Sequence, residues 1–226
     1  MSTAVVVGMI ILGLCSKAVS FSTSPLSSLE YNNAIKTIDE CSIDGKSSST
    51  LYDAVRYIDK NALKLYPDEE SKSQLWDRAY GSWKLVLATG GGRFTEFKPV
   101  PIFAFGMLDE NNFGNGIGLN KDKIILSLLG PHELVTKRRQ MIINIDDIFL
   151  GANKVTDFTP GFIKQGMGLG KRPADYKKDG RRPPAFTFIA ASEKSLVARG
   201  GSGGIAIWTR LDNDIRPAAY SSLSSS

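Results

Sequence analysis

The sequence predicts a mainly β fold, an antiparallel β-barrel with a helical cap before it. Three observations carry that reading. From Trp83 onward, eight or nine short apolar alternations follow one another, with turn residues between them and no helical spacing. Before Trp83 the apolar residues recur at helical spacing instead. The two regimes meet at residues 79–92, AYGSWKLVLATGGG, where Trp83, Leu85, Leu87 and Thr89 alternate with Lys84, Val86 and Ala88. So many strands joined by short links in about 130 residues are expected to curl and close.

The chain has 226 residues, enough for one domain with extensions. Hydrophobic content of 42% and charged content of 23% are those of a globular chain rather than a disordered one. Cys15 lies in a segment expected to be removed. Cys41 then remains as a single thiol, which argues against a disulfide-stapled domain. The single histidine, His132, argues against a histidine-ligated metal site or a catalytic triad within one chain, and reads as a turn residue after Gly130-Pro131. No cofactor and no metal are expected.

Residues 4–14 form an uncharged apolar run too short to span a bilayer comfortably. With Ala18-Val19-Ser20 as a small-x-small cleavage site before Phe21, residues 1–20 read as a signal peptide. Phe21 then opens a serine-rich stretch without an acidic residue until Glu30. A cut followed by phenylalanine and such a stretch resembles the two-part plastid address of algae with secondary plastids. Residues 21–48 are accordingly read as a transit-like segment and linker with the first helix; a simple secretory signal is the alternative.

Helices are expected over residues 26–40, 50–66 and 73–80. In the second, Leu51, Val55, Ile58, Ala62 and Leu65 form a stripe, Ser49 or Thr50 is a plausible N-cap, and Pro67 ends it. The third brings Leu75, Trp76 and Ala79 against the barrel floor. Residues 49–80 thus form a helical cap, and residues 81–211 the barrel. Its strands are expected over 102–108, 115–119, 123–129, 134–145 (long and bent), 154–158, 186–190, 196–199 and 205–210, followed by a tail over 212–226.

Residues 159–184 interrupt the meander. They show no periodicity and hold seven bases against two acids, so their net charge of +5 equals that of the whole chain. Phe158, Phe162 and Tyr176 alternate with the bases. Such a segment suits an anionic membrane surface, with Lys171, Arg172, Lys177, Lys178, Arg181 and Arg182 as the contacts; a merely solvated loop is the alternative. Nucleic acid is disfavoured because no reading motif accompanies the charge. Residues 166–171, GMGLGK, fail the phosphate-loop spacing at Gln165 and Arg172, and no strand–helix frame surrounds them. Asp146-Asp147 is a carboxylate pair in an expected turn, without a histidine partner for acid–base work.

A Gly-x-Trp start such as Gly81-Ser82-Trp83 is what lipocalin-type barrels use to open their first strand. The run 195–208, SLVARGGSGGIAIW, reads as a strand ending in arginine, a glycine-rich hairpin and a closing apolar strand. Taken with residues 79–89, it resembles the plastid lipid-associated protein (fibrillin) family over roughly residues 50–211, best at the two ends. Ala88-Thr89 stands where that family has Tyr-Thr, and Ala79-Tyr80-Gly81 where it has Leu-Asp-Gly. The resemblance implies a lipocalin-like barrel in the plastid, at thylakoids or plastoglobules. It implies binding or organising of prenyl lipids, carotenoids or quinones, with no catalytic residue.

The expected barrel lining is Trp83, Leu85, Leu87, Phe103, Phe105, Phe186, Phe188 and Trp208. The expected floor is Gly81 and Trp83, with Arg210, or failing that Arg199, stacked on the indole within about 6 Å. Two other readings remain beside the non-enzymatic lipid or pigment binder. One is an accessory protein docked on a thylakoid membrane complex; the other is an enzyme acting on an isoprenoid lipid in the same barrel, needing an acid–base couple such as Asp146 or Asp147.

Overall fold

The computed structural model describes residues 28–91 and 95–211. The expected signal peptide over 1–20, the start of the transit-like segment and the tail over 212–226 lie outside the described residues.

Helix α1 (Ser28–Asp44) buries Ala34, Ile38 and Cys41 along one stripe, and α2 (Leu51–Lys60) buries Leu51, Val55 and Ile58. The single helix expected over 50–66 is broken at Asn61. Both its backbone N–H and its side-chain Nδ2 donate to the Tyr57 carbonyl, so a short α3 (Ala62–Leu65) follows as a separate turn. Helix α4 (Glu69–Ala79) begins four residues before the expected 73–80. Asp68 caps it: the Ser71 N–H donates to Asp68 Oδ1 at 2.8 Å, and the Asp68 N–H to Ser71 Oγ at 3.3 Å. Those hydrogen bonds hold the Asp68 carboxyl below its ordinary range.

Ten strands follow: β1 (Gly81–Ala88), β2 (Lys98–Leu108), β3 (Asn112–Asn120), β4 (Lys123–Val135), β5 (Gln140–Ile143), β6 (Asp147–Leu150), β7 (Asn153–Lys154), β8 (Ala185–Ala191), β9 (Ser195–Gly200) and β10 (Ile205–Arg210). Eight of them, β1–β2–β3–β4–β5–β8–β9–β10 and back to β1, form a closed antiparallel barrel. Strand β6 pairs with Leu126–Leu129 of β4, the part that β5 leaves free, and β7 pairs with β6.

Several expected boundaries are corrected. The long bent strand over 134–145 is two strands, parted by a 3-10 turn at Thr136–Arg138 and by Arg139 in the left-handed region at φ 52°. His132 lies within β4, not in a turn, and its Nε2 is 2.8 Å from the Asp109 carbonyl oxygen. Of the strand expected over 154–158 only Lys154 lies in a strand, paired in β7 together with Asn153, and residues 156–159 turn instead. The insertion 159–184, read as irregular, contains helices α5 (Gly161–Met167) and α6 (Pro173–Lys178). Both are too short to show a periodic stripe.

Two apolar clusters lie on opposite faces of one wall. Helices α1 and α2 pack on the outside of β1, β8, β9 and β10, against Val86, Leu87, Ile189, Val197 and Ile207. Helix α4 instead closes one end, burying Leu75, Trp76 and Ala79 with Trp83, Leu108 and Phe188. The Trp76 and Phe188 rings meet edge to face with centroids 4.9 Å apart. Two irregularities serve the outer cluster. The pairing shifts between Leu85 and Leu87 in β1 and between Phe188 and Ala190 in β8. Each shift sends two consecutive residues outward under the helices.

Candidate functional site

At the closed end, Trp83 is 1% exposed, and its Nε1 donates to the Ala79 carbonyl at 2.8 Å. Its register partner across β10 is Arg210, whose guanidinium carbon lies 4.1 Å from the indole centroid. Arg210 also donates to the carbonyls of Glu193 (2.8 Å), Tyr80 (2.9 Å) and Arg78 (2.6 Å). One side chain thus ties the end of α4 and the β8–β9 turn to the first strand, and burial draws its pKa down. Gly81 has φ +126°, and a Cβ there would stand 2.6 Å from Arg210 Nη1, so a side chain is excluded on both counts. Arg199 is not part of this floor, contrary to the second option. It pairs with Ile205 near the other end of β10, and its Nη2 donates to Asp59 of α2 at 2.7 Å on the outer wall.

Above the floor the barrel encloses a cavity of about 360 Å³, within the usual range of small-molecule sites. Of the residues expected to line it, Trp83, Leu85, Phe105, Phe186, Phe188 and Trp208 do so. Leu87 does not: the shift after Leu85 turns it to the outer cluster, where it is fully buried beneath the helices. Phe103 is also corrected, lying outside the lining with its ring stacked on Phe105 at 6.3 Å. Sequence reasoning missed Leu108, Phe113, Asn115, Ile117, Leu126 and Leu128. The alternation of Ile124, Leu126 and Leu128 in β4 was the available signal for the last two. Phe186 stands between Phe113 and Trp208, each centroid 6.0 Å away, the second pair edge to face. Among the described lining residues, Asn115 is the one side chain whose end is an amide; the rest are apolar or tryptophan.

The carboxylate pair is engaged in ion pairs. Asp146 accepts both guanidinium nitrogens of Arg172, at 2.7 and 2.9 Å, and Asp147 holds Lys154 at 2.6 Å. These hydrogen bonds raise the pKa of Arg172 and of Lys154. Across the two ends of α6, Lys171 donates to Asp179 at 2.6 Å, which pulls that carboxyl below its ordinary range. Two of the six bases expected at a membrane surface are therefore neutralised within the fold. Lys177, Lys178, Arg181 and Arg182 are exposed and form no ion pair among the described residues. Phe158, just before the insertion, and Phe162 within it are 86% and 77% exposed. Among the described residues no helix is long and apolar enough to cross a membrane, and no His, Cys, Asp and Glu group could hold a metal ion.

A closed eight-stranded antiparallel barrel with an apolar interior defines a lipocalin-like fold class. No protein-family model and no curated protein matches the chain. Among solved structures it is similar to a lipocalin-like protein from Bacteroides uniformis ATCC 8492, with 15% identity and a TM-score of 0.38, over 59% of this chain and 99% of that one. It is also similar to an uncharacterized protein from Bacteroides eggerthii DSM 20697, with 14% identity and a TM-score of 0.36, over 58% of this chain and 98% of that one.

Proposed function

We propose that the protein is a non-enzymatic binder of a small apolar ligand, held inside the barrel while the basic insertion rests on an anionic membrane surface. The observation that carries the first half is the apolar lining of the 360 Å³ cavity, which rewards burial of hydrocarbon or an aromatic ring. Following the family resemblance at residues 79–89 and 195–208, the ligand class is a prenyl lipid, carotenoid or quinone, and the place is a plastid thylakoid or plastoglobule. Trp83 and Trp208 both border the cavity, so a quinone bound there quenches their fluorescence. The expected result is saturable quenching at one quinone per chain, with lipid recovered when freshly purified protein is extracted with organic solvent. Quenching that rises linearly without saturation, together with an empty extract, would sink the reading.

The membrane half rests on exposed aromatics and exposed bases carried by one segment, residues 158–182, the usual makeup of an interfacial anchor. Since Lys171 and Arg172 are already paired, the contact narrows to Lys177, Lys178, Arg181 and Arg182. Each base near an anionic surface contributes about 1 kcal/mol, screened within a Debye length. Changing these four to Gln is expected to weaken binding to phosphatidylglycerol vesicles strongly at low salt and little at high salt. Equal binding of the parent chain to neutral and anionic vesicles would show that the insertion only faces solvent.

A further inference from the structure

We propose that the ligand is an anionic amphiphile, with its apolar part in the barrel and its phosphate or carboxylate head among arginines in an adjoining groove. The proposal rests on the apolar-binder reading above; within its ligand classes it selects a prenyl lipid with an anionic head over a neutral carotenoid or quinone, and it leaves Lys177 and Lys178 as the membrane contact.

The groove has a volume of about 830 Å³ and lies between the insertion and strands β5, β8 and β9. Gln140, Thr187 and Arg199 are successive register partners along its strand side. Arg138, Arg181, Arg182 and Arg199 border it, and no Asp or Glu does among the described residues. Asp59 balances Arg199, whereas the other three arginines have no ion pair among the described residues. Several guanidinium groups facing one hollow repel each other and favour an oxyanion between them. Their planar donor forks match phosphate and carboxylate oxygens in pairs.

Between the groove and the cavity lies a smaller hollow of about 250 Å³ that shares lining residues with both. Phe113, Asn115, Leu128 and Phe186 border both the hollow and the cavity. Pro184, Ala185 and Gly201 border both the hollow and the groove. The wall is thin at this point for a topological reason. Strand β5 meets β8 over only three residue pairs, Gln140–Ile142, and the chain then runs on to β6, which takes the same edge of β4 as β5 and does not pair with β8. A neutral lipid would use the apolar end alone, and free phosphate would use the groove alone. A chain with an anionic head uses both. The cavity itself has room for about a dozen water-sized groups at roughly 30 Å³ each, which sets the scale of the tail.

The test compares dodecyl phosphate, dodecanoate and dodecanol as monomers on the full chain, read by tryptophan fluorescence, with inorganic phosphate as a competitor. Dodecyl phosphate or dodecanoate is expected to bind about tenfold or more tightly than dodecanol at low salt, the difference shrinking as salt rises. Which of the two binds better decides between a phosphate and a carboxylate head. The double change Arg181→Gln, Arg182→Gln reduces that preference to about threefold or less, whereas Lys36→Gln on α1, which removes a charge elsewhere, keeps it. Equal affinity of the parent chain for dodecanol and both anions overturns the head site and leaves the apolar binding reading intact. Binding of none of the three overturns both. Inorganic phosphate that binds without displacing either anion also overturns the proposal, since the head would then lie elsewhere.

Discussion

Replacing Trp83 by Ala is expected to destabilise the chain by about 3–5 kcal/mol, the usual cost of removing a large aromatic from a core. The indole is 1% exposed and joins three parts of the fold. Its Nε1 holds the last carbonyl of α4, its face carries the Arg210 guanidinium, and its strand pairs with both β2 and β10. The change leaves the Ala79 carbonyl without that donor and Arg210 without its stacking surface, so the loss exceeds the transfer term alone. Urea unfolding followed by far-UV circular dichroism measures it. Trp208→Ala is the comparison, because Trp208 is half-buried and faces the cavity, where truncation costs less. A loss below about 1 kcal/mol at Trp83 would mean that the floor is not a keystone of the barrel.

Gly106→Phe is expected to retain the fold and to lower affinity for any cavity ligand by tenfold or more, on the order of 1.4 kcal/mol or above. Gly106 pairs with Trp83 and with Asn115, both on the cavity wall, so its missing side chain points inward. A Cβ there would meet nothing within 4 Å, and its φ is not in the left-handed region. The added ring therefore extends from an unobstructed Cβ into ligand space. Phenylalanine is also favoured over glycine in a strand, which offsets some of any packing cost. Gly116 offers the contrasting case. Its Cβ would stand 2.7 Å from the Phe105 ring, so the same substitution there disrupts the wall and unfolds the chain. Unchanged quinone quenching by the Gly106 variant, with an intact circular dichroism spectrum, would place the ligand outside the barrel.

The residues of the closed end were legible because their chemistry is local. Gly81 announces a positive φ, and period-two alternation puts Trp83 and Leu85 on one face of β1. The same alternation puts Trp208 and Arg210 on one face of β10, and antiparallel closure makes the two strands neighbours. Leu87 was misplaced by that same rule. Nothing in Leu85-Val86-Leu87-Ala88 marks the pairing shift, which turns both Val86 and Leu87 toward the helices on the outer wall. Asp68-x-x-Ser71 was a readable cap signal that would have moved the start of α4 to its observed place.

From the sequence alone follow the mainly β class, the helical prelude, the antiparallel order of the strands and the concentration of positive charge in 159–184. Each rests on periodicity or composition within a few residues, where the backbone geometry is the same whatever surrounds it. The tertiary structure alone decided which bases of the insertion are free, because Arg172 meets Asp146 across 26 positions of the chain. It decided likewise that Arg199 serves the outer wall, since its partner Asp59 lies 140 positions away. The groove beside the insertion is of the same kind, with borders drawn from residues 138–142, 165–168, 176–187 and 199–201. Sequence periodicity reports which face a side chain occupies; which distant charge or wall it meets there is settled only when the sheet closes.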